Sequence, residues 1–186
     1  MFYLIFIFSS ASIVIVNNSI FDPLSPMPLF DVTLSVVVGT VSIFLLDAIV
    51  ALVIRRCTPK SWYHPSRVLF RVSKKERNIY RTLKIKKWKS LVPELGLFTG
   101  FSKSKMTSTD DIEYLEKFIV ESNYGVVIHI ANALLGFLIA FIPMCSAPEI
   151  WIPIFIVNFI LSMAPVFVLR YTSYTLLNLY NRKQRT

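Results

Sequence analysis

Charge and glycine are both scarce in this chain of 186 residues. Only 17% of the residues are charged and only five are glycine, whereas 54% are hydrophobic. An ordinary soluble domain carries more charge on its surface. This composition therefore excludes an ordinary soluble domain and indicates a membrane protein.

Lysine and arginine are absent from two long parts of the chain, residues 1–54 and 118–169. Sixteen of the 20 basic residues fall between Arg55 and Lys117, and the remaining four lie between Arg170 and Arg185. The net charge of +9 is therefore confined to one side of a membrane. A nucleic-acid-binding protein would carry it on a folded polar surface with aromatic residues between the charges, so no nucleic acid partner is expected.

Four apolar runs alternate with these charged parts. A helix needs about twenty apolar residues to cross a bilayer, and the loops that follow the first and third runs contain no Lys or Arg. By the positive-inside rule, both termini are then cytoplasmic. The sequence predicts one all-α, multi-pass domain of the cell membrane, with spans at about 2–20, 32–54, 126–142 and 150–169, an interfacial segment at 55–125 and a basic tail at 170–186.

The interfacial segment has a pattern of its own. Apolar residues alternate with basic ones between Arg67 and Lys75, which predicts an amphipathic helix lying on the membrane surface. Thr109 precedes two acids, which predicts a capped helix that continues through Gly125 into the third span. Pro165 is expected to kink the fourth span near its end.

A short strip within that segment combines lysines with one tryptophan: Lys86, Lys87, Trp88 and Lys89. The ammonium groups are attracted to anionic lipid headgroups, and the indole ring is amphipathic enough for the headgroup level. The strip therefore predicts contact with membrane lipids or with the headgroup of a substrate.

Ionisable and amide side chains inside a span are costly, so they usually face other helices or a polar cavity. Asn132 and Asn158 either join helices by hydrogen bonds or contact a substrate. His129 lies about one turn inside the third span, where a neutral imidazole can accept a proton from a lipid or sugar hydroxyl.

Several acids can orient that imidazole. Glu121 precedes His129 by eight residues, about 12 Å along one helix, so a direct bond would need a break near Gly125. The other acids that can take this role are Glu94, Glu76 and Asp47.

Several familiar catalytic motifs are missing from the sequence. There is no glycine-rich phosphate loop, no Cys-x-x-Cys and no Gly-x-Ser-x-Gly. The residue five positions after His64 is Leu69, and the one five after His129 is Leu134, which excludes the His-Asp motif of glycerolipid acyltransferases. With only two widely separated histidines, neither a metal site nor a cofactor is predicted.

Four segments, in order along the chain, resemble one family. They are Lys86 to Lys89, Met106 to Glu113, Phe118 to Ser122 followed by Ile128-His129, and Arg170-Tyr171. Together they are similar to the glycosyl-4,4'-diaponeurosporenoate acyltransferase family over roughly residues 79–183. The resemblance implies a membrane acyltransferase that moves a fatty acyl chain from a thioester carrier or a phospholipid onto a hydroxyl of a glycosylated lipid, either a carotenoid glycoside or a related glycolipid.

The mechanism that we predict makes His129 the general base, with Glu121 and Glu94 orienting it or the sugar. Lys86, Lys87 and Arg170 would hold donor phosphates or stabilise the oxyanion. The other residues predicted to bind substrate are Trp88, Lys89, Tyr171, Asn132 and Asn158. The alternative is a small non-enzymatic helical membrane protein that binds anionic lipid or a partner subunit, with residues 84–89 as its tether.

Overall fold

The computed structural model describes residues 28–92 and 111–185, and every regular element in those ranges is helical. The α-helices are α1 (Leu29–Cys57), α2 (Lys74–Thr82), α3 (Ile85–Trp88), α4 (Ile112–Leu135) and α5 (Pro148–Lys183). Short 3-10 turns lie at Lys60–Tyr63, Val68–Phe70, Lys89–Leu91, Gly136–Phe141 and Pro143–Cys145. The predicted all-α class is confirmed.

Three helices in the described ranges are long and apolar enough to cross a membrane: Phe30–Cys57, Ile112–Phe141 and Pro148–Lys183. They correspond to the second, third and fourth predicted spans. The first predicted span, residues 2–20, lies outside the described residues. The four-span topology with cytoplasmic termini therefore stays a prediction.

The chain divides into two compact units. The described part of the first unit comprises residues 28–52 and 130–163, and that of the second comprises residues 53–92, 111–129 and 164–185. Helices α1, α4 and α5 each supply residues to both.

The first unit buries one face of α1 and exposes another. Residues four apart lie on the same side of a helix, and the exposed stripe is apolar, as expected of a surface that faces lipid. The buried core contains Val32, Val36, Ile43, Ile139, Cys145, Ile150 and Ile154. The exposed stripe contains Val37, Val41, Leu45, Ile49 and Leu52.

The second unit has two apolar clusters. The first joins α4 to the end of α5 and contains Leu115, Phe118, Ile119, Leu176, Leu177 and Tyr180. The second, which we call the Tyr80 cluster, is built on buried Val72, Tyr80 and Ile85, with Trp88, Phe167, Val168, Tyr171 and Tyr174 packed against it. These clusters fix the interfacial segment to α4 and α5.

Helix α5 is much longer than predicted. It runs through Pro165 without interruption to Lys183, so the helix continues beyond residue 169, and the membrane boundary predicted there stays a prediction. A proline removes one helical hydrogen bond, but burial of Leu176, Leu177 and Tyr180 stabilises the helix beyond it. Tertiary packing of this kind routinely outweighs a local helix-breaking signal.

The amphipathic helix predicted around residues 67–75 is also wrong. Val68–Phe70 form only a 3-10 turn, and the residues on either side are extended. Helix α2 begins at Lys74, because the Ser73 side chain accepts a hydrogen bond from the backbone N–H of Glu76 at 3.1 Å.

Helix α4 starts at an acidic cap. Asp111 Oδ1 accepts hydrogen bonds from the backbone N–H groups of Glu113 and Tyr114, at 2.9 and 3.3 Å. The predicted cap, Thr109, lies outside the described residues. The helix then passes Gly125 without a break and ends at Leu135, which confirms the predicted continuity.

Candidate active site

The lysine and tryptophan strip lies on α3 and the turn after it. Lys86, Lys87 and Lys89 are exposed, whereas Trp88 packs against the Tyr80 cluster and its Nε1 donates a hydrogen bond to the Leu83 carbonyl at 3.0 Å. The indole thus fixes the strip to the second unit, while the three cations remain accessible to an anionic headgroup.

Arg170 lies on α5 in the same unit and is bound by a carboxylate. Its Nε and Nη2 donate to the two carboxylate oxygens of Glu76 at 2.8 and 2.9 Å, and its Nη1 donates to the Leu69 carbonyl at 3.2 Å. This two-bond pairing occupies the guanidinium edge best suited to a phosphate. The structure therefore gives Arg170 a role in joining α2 to α5, and its predicted role in holding donor phosphates stays a prediction.

The same carboxylate also binds a phenol, since Tyr80 donates its hydroxyl to Glu76 Oε1 at 2.6 Å. Burial alone would raise the pKa of Glu76, but hydrogen bonds from Arg170 and Tyr80 and the charge of Arg170 bring it below its ordinary value. Burial, together with the bond to Glu76, raises the pKa of Tyr80 to about 12. Glu76 is accordingly ionised at neutral pH, and its two carboxylate oxygens are bound by Arg170 and Tyr80.

The strip and the Arg170-Tyr171 motif meet at this point. Tyr171 packs against the Tyr80 cluster, as Trp88 does, and Arg170 reaches the cluster through Glu76. Two of the segments that carry the family resemblance, far apart in sequence, are therefore neighbours in the second unit.

Glu121 has a different partner from the one that the sequence suggested. It forms an ion pair with Arg55, Nη2 to Oε2 at 2.8 Å. The helix break that a direct bond to His129 requires is absent, because α4 is continuous through Gly125. Glu94, the other predicted partner, lies outside the described residues.

His129 is half-buried on α4, and its role as general base stays a prediction. In the first unit, Asn158 Nδ2 donates to the backbone carbonyl of Asn132 at 3.2 Å, and both side chains are buried. This bond joins α5 to α4 and fits the helix-joining interpretation of Asn158. Asn132 Oδ1 is buried and has no hydrogen-bond partner among the described residues.

Gly136 provides a test of that helix-joining bond. A Cβ at this position would lie 2.5 Å from Asn158 Nδ2. We expect Gly136→Ala to displace the amide and to lower the free energy of unfolding by about 1–3 kcal/mol. Unfolding in mixed detergent micelles would measure this loss, and in an Asn158→Ala background the loss should shrink. An equal loss in both backgrounds would contradict the contact.

A second histidine, His64, lies next to both a hydroxyl and a carboxylate. His64 Nδ1 lies 2.8 Å from Ser66 Oγ and accepts a hydrogen bond from the Ser66 backbone N–H at 3.2 Å. On the other side of the ring, His64 Nε2 lies 3.4 Å from Glu116 Oε1 on α4. Because Nδ1 accepts a backbone N–H, the hydrogen-bond network assigns the proton of the neutral ring to Nε2, which faces the carboxylate.

The loop that carries His64 packs against α4 through aromatic side chains. Tyr63 stacks on Tyr124 of α4 with ring centroids 3.7 Å apart, and Asn123 Nδ2 donates to the Tyr63 carbonyl at 2.8 Å. The hydroxyl of Tyr124 donates to the Thr58 carbonyl at 3.0 Å. These contacts dock the loop on the helix that supplies Glu116, so the imidazole and the carboxylate are positioned by one scaffold.

An open depression of about 610 Å³ lies beside this group and is lined by Ser61, His64, Ser66, Arg67 and Val68. A hydroxyl, an imidazole and a carboxylate that lie next to one another in that spatial order form the arrangement that activates a nucleophile for acyl transfer. This group was not predicted from the sequence, because Glu116 is far from His64 along the chain and no local motif links the two residues. The available signal was the short spacing in His64-Pro65-Ser66.

Residues 59–182 match the family model described as glycosyl-4,4'-diaponeurosporenoate acyltransferase. No curated protein and no solved structure matches the chain. The matched range includes the lysine strip, both histidines, Glu116 and Arg170, and it covers most of the chain. Membership of an enzyme family favours acyl transfer over the alternative of a non-enzymatic lipid-binding protein. The chain is an acyltransferase and belongs to the glycosyl-4,4'-diaponeurosporenoate acyltransferase family.

Proposed function

We propose that this enzyme transfers a fatty acyl chain from a thioester carrier or a phospholipid to a sugar hydroxyl of a glycosylated carotenoid or a related glycolipid. The observation that carries the proposal is the family match over residues 59–182. The apolar helices support it, because both substrates are amphipathic and meet at a membrane surface.

The exposed lysines suit the donor side of this reaction. Lys86, Lys87 and Lys89 present three cations next to an anchored indole, a combination that attracts phosphate-bearing headgroups at a membrane interface. They would bring the head of a phospholipid or a phosphorylated thioester carrier to the second unit.

Ester formation needs a base for the acceptor hydroxyl. A neutral imidazole takes the hydroxyl proton as the oxygen attacks the acyl carbonyl, and the thiol or alcohol of the donor then leaves. His129 is the base that the sequence predicts, and His64 is the imidazole with a neighbouring hydroxyl and carboxylate. The proposed function requires one of the two.

Lipid mass spectrometry tests the proposed function. Cells that make a glycosylated carotenoid would express either the natural chain or a His64→Gln/His129→Gln double variant, with equal amounts of protein in the membrane. We expect the natural chain alone to convert the glycoside into a species heavier by one fatty acyl group. An unchanged glycolipid pool in cells with abundant natural protein would refute the proposed function.

A further inference from the structure

We propose that the transfer proceeds through an acyl ester on Ser66, formed with His64 as base and with Glu116 as the positioning residue. This inference rests on the proposed function and adds a covalent intermediate to it. The acyl chain would therefore be esterified to Ser66 of the enzyme before it is transferred to the glycolipid.

Ser66 is held at three of its own atoms. Its Oγ lies 2.8 Å from His64 Nδ1, its backbone N–H donates to the same nitrogen at 3.2 Å, and its carbonyl accepts from Arg71 Nη2 at 3.4 Å. A hydroxyl fixed beside an accepting ring nitrogen loses its proton to that nitrogen as it attacks a carbonyl.

Glu116 is itself held in place. Its Oε1 faces His64 Nε2 at 3.4 Å, while its Oε2 accepts the hydroxyl of Tyr180 at 3.0 Å, and that hydroxyl in turn accepts from Gln184 Nε2 at 2.9 Å. The carboxylate fixes the ring tautomer and stabilises the imidazolium that forms during attack. The distance of 3.4 Å is at the long end for a hydrogen bond, as is common before a substrate closes the site.

The surroundings of Ser66 suit a long-chain acyl donor. Val68, Leu69 and Trp62 are 76%, 77% and 58% exposed, respectively, on the loops that flank Ser66. Apolar and aromatic side chains exposed to this extent next to arginines are typical of a surface that enters the lipid interface. The donor carbonyl, just below its headgroup, would then lie at the level of the depression beside Ser66, with Arg67 on its wall.

The chemistry balances in two steps. In the first, the Ser66 hydroxyl proton moves to His64 Nδ1, Oγ bonds to the acyl carbon, and the donor thiol or alcohol leaves with that proton. In the second, the sugar hydroxyl gives its proton to the same nitrogen and its oxygen bonds to the acyl carbon. The bond to Ser66 then breaks and Oγ recovers the proton.

Trapping the intermediate tests the inference. The purified chain in liposomes would receive an alkyne-tagged fatty acyl thioester in one arm and a phospholipid with the same tagged chain in the other. Acid quenching and peptide mass spectrometry should find the tagged acyl group on Ser66 with at least one donor. Addition of a glycosylated carotenoid should discharge the label into product, and the arm that labels identifies the donor class.

Ser66→Ala and Ser90→Ala form the matched pair of variants, since Ser90 is an exposed serine of the same unit outside the depression. We expect Ser66→Ala to lose the label and to lower the transfer rate about 10³-fold or more, while Ser90→Ala keeps both. If the natural chain makes product and Ser66→Ala makes it at a similar rate with no labelled peptide, the covalent step is refuted and the proposed function stands. Absence of product and of label from the natural chain would refute both.

The role of Glu116 is separable from a purely structural one. Glu116→Gln keeps the side-chain size and the contact with Tyr180, but it removes the charge that stabilises an imidazolium. We expect kcat to fall about tenfold or more with KM within twofold, and Glu116→Asp to restore part of kcat. A rise in KM with unchanged kcat would show that Glu116 is not a positioning residue for His64.

Discussion

Replacement of His64 by glutamine is expected to lower the rate of acyl transfer about 10²- to 10⁴-fold, the contribution of a positioned general base. Glutamine fills similar space and can still hydrogen-bond to Ser66 and Glu116, but it cannot take a proton from a hydroxyl. The measurement is the initial rate of ester formation in membranes, normalised to the amount of enzyme present.

His129→Gln is the matched comparison, because it makes the same change at the other histidine. We expect the loss at His64 to exceed the loss at His129 by at least tenfold, since His64 has the hydroxyl on one side and the carboxylate on the other. The reverse order would assign the proton transfer to His129, as the sequence alone predicted, and would remove His64 from the mechanism.

The second large effect concerns stability. Glu76→Gln is expected to lower the free energy of unfolding by about 2–4 kcal/mol, because it leaves Arg170, whose side chain is mostly buried, without its counter-charge. The Glu76 side chain is 25% exposed and that of Arg170 17% exposed, so water compensates only part of the loss. Unfolding in mixed detergent micelles would measure the change.

Glu121→Gln is the control for that experiment. Its partner, Arg55, has a side chain that is 37% exposed and makes a single bond to the carboxylate. A pair of this kind contributes about 1 kcal/mol or less. Equal destabilisation by both variants would show that the two-bond pair of Glu76 with Arg170 contributes no more to the free energy of unfolding than the single-bond pair of Glu121 with Arg55.

The same pair gives the second unit a predictable dependence on pH. The pKa of Glu76 is lower in the folded chain than its ordinary value of 4.5. Its contribution to stability is therefore fully present above pH 4.5 and is lost as the pH falls through the folded-state pKa. Stability measured between pH 7 and pH 3 should fall less steeply in Glu76→Gln than in the natural chain, and parallel curves would contradict this linkage.

Local sequence signals were enough to predict much of the fold. The position of α1 followed from the largely apolar run that ends before Arg55, and the passage of α4 through Gly125 followed from the predicted helix start at Thr109 and the apolar run beyond Gly125. The extension of α5 past Pro165 could not be predicted in this way. It depends on side chains near Leu176 packing against residues near Leu115, a contact that no short window contains.

The candidate site was predictable only in its parts. The strip around Trp88 and the Arg170-Tyr171 motif stand out by residue type, but their meeting point depends on Glu76 and the packing around Tyr80. The environment of His64 was less visible still, because its carboxylate comes from α4 and is brought near by the stacking of Tyr63 on Tyr124. Such partners are determined by tertiary packing, which produces no periodic pattern in the amino-acid sequence.

The most direct test of the central claim is a transfer assay with purified enzyme in liposomes that contain a glycosylated carotenoid and a labelled acyl donor. The account predicts a labelled ester on the sugar, formed in proportion to the amount of natural enzyme and reduced at least 100-fold by His64→Gln. A labelled glycolipid formed equally well by the variant, or label that appears only as free fatty acid, would contradict it.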